Sequence, residues 1–98
     1  MKSKLTIYRG YLTLYYSHKG VFRKSLGIKV AMRDSKRILN NLGKGRLNDF
    51  DPDTRKIILS NKKEVDKIII EYFLEHNSSI TKKELVSRFA SYKRGELS

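Results

Sequence analysis

Cysteine is missing from this 98-residue chain, which excludes disulfides and thiolate-bound metals and suits a reducing cytoplasm. Histidine is scarce. His18 and His76 are far apart, with no carboxylate at ligand spacing beside either, so no metal site is expected. HExxH, a Gly-rich phosphate loop and a nucleophile with an obvious base are all lacking, so neither catalysis nor a cofactor is expected. No apolar run approaches the ~20 residues of a membrane span, and Met1-Lys-Ser-Lys lacks the hydrophobic stretch of a secretion signal. No membrane contact is expected.

The most telling scarcity is of acid. The net charge is +12, and residues 1–48 hold 12 Lys/Arg against the single acid Asp34. Residues 49–98 hold 10 Lys/Arg against 9 acids, so the excess belongs almost wholly to the first half. One-sided basicity is the electrostatic footprint of a polyanion binder.

That basic half is patterned. From Lys4 to Lys29, Leu5, Ile7, Leu12, Leu14, Tyr16, Phe22, Leu26 and Ile28 alternate with Thr6, Tyr8, Tyr11, Thr13, Tyr15, Arg23, Ser25 and Lys29. Period-two alternation marks strands with one dry face and one wet face. Arg9-Gly10 and His18-Lys19-Gly20 punctuate the run as turns, giving strands at about 4–8, 11–17 and 21–28. An antiparallel meander of this kind cannot bury its dry face alone.

Residues 31–50 lack a clean period and read as a long connection, with a helical turn near Asp34 to Asn41 and two or three apolar side chains tacked to the core. Its cations Arg33, Lys36, Arg37, Lys44 and Arg46 are either phosphate contacts or plain surface. Asp51-Pro52 then starts a helix over about 52–76, with Ile58, Val65, Ile68, Ile69, Tyr72 and Phe73 on one stripe. Lys62 and Asp66 are assigned to its wet side, and Asn77 to its left-handed end. Thr81 and Glu84 form a capping box, flanked by Ile80 and Leu85 as a staple, which predicts a short helix over about 81–92. Residues 93–98 read as a linker or frayed tail. The expectation is one α+β domain over 1–92: a three-stranded antiparallel sheet packed on a long helix, followed by a short one.

The order of three signals resembles the N-terminal arm-type DNA-binding domain of tyrosine-recombinase integrases from phages and conjugative transposons. They are Tyr11-Leu-Thr-Leu-Tyr-Tyr with a short Lys-Gly loop, the run Ser25 to Val30 (Ser-Leu-Gly-Ile-Lys-Val), and the Lys/Glu/Ile-rich helix with Ile80 to Leu85. The resemblance covers nearly the whole chain. It implies a sheet that enters the major groove of double-stranded DNA at arm-type sites, in the bacterial cytoplasm. It also implies core-binding and catalytic domains downstream, so that this chain is the non-catalytic part of an enzyme of DNA integration and recombination.

On the wet face, Arg23 is the first candidate for a base edge, because its fork can bind guanine bidentately. Thr13, Tyr15 and Ser25 are candidates for shorter polar or thymine-methyl contacts. Lys4, Arg9, Lys19, Lys24 and Lys29, at strand ends and loops, are assigned to phosphates. Two other readings stay open: a module for RNA or other single strands, which would stack bases on the tyrosines, and a protein-interaction domain using a sheet edge.

Overall fold

The computed structural model describes residues 2–18 and 20–95. Strands β1 (Lys4–Tyr8), β2 (Tyr11–Ser17) and β3 (Val21–Lys29) form an antiparallel sheet in the order β1-β2-β3. A 3-10 turn at Met32–Asp34 leads into helices α1 (Ser35–Gly43), α2 (Pro52–His76) and α3 (Lys82–Lys93). The α+β architecture therefore has the expected sheet, long helix and following shorter helix, with one helix more.

Turn chemistry sets the sheet. Arg9 and Gly10 both have positive φ, 51° and 82°, as the tight turn between right-twisted strands requires. Further on, Thr13 faces Ser25 while Tyr11 faces Lys29, so β3 carries two more residues than β2 over that stretch. Gly27, with φ of 74°, absorbs the irregularity and donates its N–H to the Ser25 hydroxyl at 3.2 Å. Because the insertion is even, Lys29 stays on the face of Ser25, and Leu26 and Ile28 stay against the core.

The core is in two parts sharing one wall. Leu14, Tyr16 and Phe22 pack with Val65, Ile68 and Ile69 of α2 and with Leu85 and Phe89 of α3. Leu12 and Val30 pack with Ile58 near the start of α2 and with Ile38 of α1. A helix of 25 residues is about 37 Å long, more than three strands need, and it is long because it serves both clusters.

The helical turn expected near Asp34 to Asn41 within the 31–50 connection is a full helix. Residues 35–43 are helical, and Ile38 and Leu42, one turn apart, face Leu12, Val30 and Ile58. Two large apolar side chains make too short a stripe to announce more than a helical turn without its partner. Met32 is 91% exposed and holds nothing down. Asp49 closes the loop instead, accepting from Asn41 Nδ2 at 2.9 Å and Arg37 Nε at 3.2 Å.

The helix ends are chemically specified. Thr81 accepts the Glu84 N–H at 3.3 Å, while the Glu84 carboxylate turns to Arg88 at 2.9 Å, so the capping box is closed on one side only. Asn77 takes the left-handed conformation, φ 52°, at the end of α2. Asp51 sits at the N-cap in extended conformation. A hydrogen bond with the Thr54 side chain is the main cause holding its carboxyl below the ordinary aspartate value.

Lys62 and Asp66 also need correction as simple wet-side residues. Asp66 is half-buried, accepts both Ser3 N–H at 2.7 Å and Ser3 Oγ–H at 2.6 Å, and pairs with Lys62 at 2.7 Å. Residues 63 positions apart cannot be associated by periodicity.

Candidate nucleic-acid interface

All three helices cover one face of the sheet, and the opposite face is a grid of three rows. The register sets Lys4–Tyr15–Arg23, Thr6–Thr13–Ser25 and Tyr8–Tyr11–Lys29 side by side across the strands. No carboxylate is among the nine. Large and cationic groups form the outer rows, and short hydroxyl side chains form the middle one. Three strands at ~4.8 Å spacing span about 10 Å, comparable with the ~12 Å width of the major groove.

Arg23 organises this face. Its guanidinium lies 4.8 Å from the Tyr8 ring centroid and 5.7 Å from that of Tyr15. Tyr8 belongs to the row of Tyr11, while Arg23 belongs to the row of Tyr15, so the arginine crosses β2 diagonally above Thr13. Lys4 lies 5.1 Å over the other neighbour, Tyr15, and Arg9 lies 5.2 Å over Tyr8 from the turn. Such contacts contribute about 0.5–1 kcal/mol each where exposed. They hold the cations in place without locking them.

The sequence-assigned residues separate on inspection. Arg23 and Ser25 are exposed, and Tyr15 is half-buried, all three on this face. Thr13 is on it too, but only 2% exposed, with its hydroxyl donating to Tyr11 O at 3.0 Å. It is the floor of the face rather than a contact. Of the cations, Lys4 and Lys29 stand at opposite ends of the grid, and Arg9 stands at the hairpin tip. Lys24 pairs with Leu14 and so points to the helix side, where it lines a groove with Phe89 and Lys93 of α3. The structure does not bring Lys24 to the grid. Lys19 lies outside the described residues.

Two wet-face residues beyond the base-edge and phosphate candidates also matter here: Tyr8 and Tyr11, each 41% exposed. Tyr8 carries two guanidinium groups. Parity placed both tyrosines on the wet face, but which aromatic would hold Arg23 depends on strand register and twist. The cations of 31–50 are less available than their number suggests, since Arg37 pairs with Asp34 at 3.3 Å and Asp49 at 3.2 Å.

His76 stacks on Tyr72 with ring centroids 4.1 Å apart. Among the described residues no group of three or more His, Cys, Asp or Glu could hold a metal, and no helix is long and apolar enough to cross a membrane. Comparison with protein-family models, curated proteins and solved structures found no match.

Proposed function

We propose that this chain is a sequence-specific binder of double-stranded DNA that lays its sheet in the major groove. In this reading it is the arm-type, non-catalytic domain of a tyrosine-recombinase integrase, ahead of core-binding and catalytic domains. The observation that carries it is the carboxylate-free grid with Arg23 poised over Tyr8 and Tyr15. A bidentate contact to guanine is worth about 1–3 kcal/mol of discrimination. That is comparable with or above the about 1–2 kcal/mol of the two exposed cation–π contacts Arg23 makes, so a guanine edge can compete for the guanidinium. Single-strand recognition is the rival reading: stacking of a base on Tyr8 or Tyr15 is also worth about 1–3 kcal/mol, and the competition below separates the two.

Selection of binding sites from a random duplex pool, followed by competition of the winner against single-stranded RNA, tests this. An enriched duplex motif that RNA does not displace is the expected result. Enrichment of no motif, or displacement by RNA at equal concentration, would overturn the assignment.

A further inference from the structure

A second cationic feature lies at the Lys4 end of the grid. A cleft of about 380 Å³ opens there, within the ~300–1,000 Å³ range of small-molecule sites. Lys2 and Lys4 line it from the N-terminal segment, Tyr15 to His18 from the end of β2, and Ser79 from the loop between α2 and α3. Its described lining thus comprises two lysines, two tyrosines, two serines and a histidine, and no acidic residue. Neither lysine belongs to an ion pair among the described residues.

The walls are built rather than incidental. Ser3, between the two lysines, is buried and clamped to Asp66 by its N–H and its hydroxyl, while Asp66 is itself held by Lys62. Across the cleft, Tyr16 of β2 and Ser79 of the α2–α3 loop line the same wall. Neighbouring cations without a counter-charge repel one another and favour an anion between them, and hydroxyl donors beside them add directional bonds to an oxyanion that enters.

We propose that this cleft is an oxyanion site that takes one phosphodiester group of the DNA strand passing the Lys4 end of the sheet. The inference rests on the duplex-binding reading, because Lys4 and Tyr15 belong to both the grid and the cleft. It assigns to phosphate binding Lys2, His18 and Ser79, of which neither Lys2 nor Ser79 shows any pattern in the sequence.

Two measurements test it. In the first, amide shifts of the whole chain are followed as inorganic phosphate is added, with chloride at equal ionic strength as control. Shifts at Ser17, His18 and Ser79 with phosphate alone are expected, and their absence would overturn the site. In the second, the salt dependence of duplex binding is compared for the native chain, Lys2→Ala and Lys63→Ala, the last on the exposed side of α2. Lys2→Ala should lower the slope of log K against log salt by about 0.9, the value of one lost phosphate contact. It should leave the preference for the selected site over a scrambled one unchanged, and Lys63→Ala should change neither. A Lys2→Ala slope equal to that of the native chain would remove the DNA backbone as the ligand while the proposed function stood. Phosphate shifts in a chain that binds no duplex would leave the anion site standing and remove the proposed function, and the backbone assignment with it.

Discussion

Arg23 and Thr13 show how neighbouring side chains on one face take different work. Thr13 is covered and its hydroxyl is engaged with Tyr11 O, so Thr13→Val should leave duplex preference unchanged. Arg23→Gln should reduce discrimination between the selected duplex and a scrambled one by about 1–3 kcal/mol. Lys29→Ala should instead weaken both duplexes alike and flatten the salt dependence. Titrating the three variants on both duplexes at several salt concentrations checks the division, and identical behaviour of Arg23→Gln and Lys29→Ala would sink it. Away from the face, Asp66 accepts two bonds from Ser3 and one from Lys62. Asp66→Ala leaves those donors unmatched, at a cost of about 1–3 kcal/mol, with faster hydrogen exchange at the Ser3 amide as the local sign. Asp51 carries a sign-definite pH effect. Its carboxyl lies below the ordinary value in the folded chain, so its contribution is fully present above the ordinary value and is lost as pH falls from there through the lowered folded one.

At the scale of elements, two glycines make opposite predictions. A Cβ at Gly27 would meet no atom within 4 Å, yet φ is 74°, so Gly27→Ala should destabilise by about 1–2 kcal/mol through the backbone alone. Gly43 ends α1 with the same open space and without a positive φ, so Gly43→Ala should stabilise by about 0.5–1 kcal/mol. Denaturant midpoints decide both, and a loss of stability in Gly43→Ala would refute the helical assignment of that position. Helix α1 depends on Ile38, which is 6% exposed against Leu12 and Ile58. Ile38→Ala should therefore cost about 2–5 kcal/mol, far more than an anchor in an irregular loop would.

For the whole molecule, α2 is the common wall of two apolar clusters, with the sheet across from it and the cationic grid turned outward. The parts legible in advance were those whose cause is local in the chain. Alternation sorted Leu12, Leu14 and Phe22 from Tyr15 and Arg23, because successive strand residues point to opposite faces whatever they later meet. The Thr81 cap, the Asn77 end and the turn at Arg9-Gly10 were likewise written within four residues. What required the tertiary structure has its cause in distant residues. Ile38 and Leu42 make a helix face only because Ile58 and Leu12 stand opposite, and Ser3 finds Asp66 across 63 positions. Register and twist, rather than composition, carried Arg23 over Thr13 to Tyr8. Sequence alone settled which side chains share a face, since that follows from backbone geometry. Which of them touch was decided only when strands and helices closed on one another, because contact between remote groups is a property of packing.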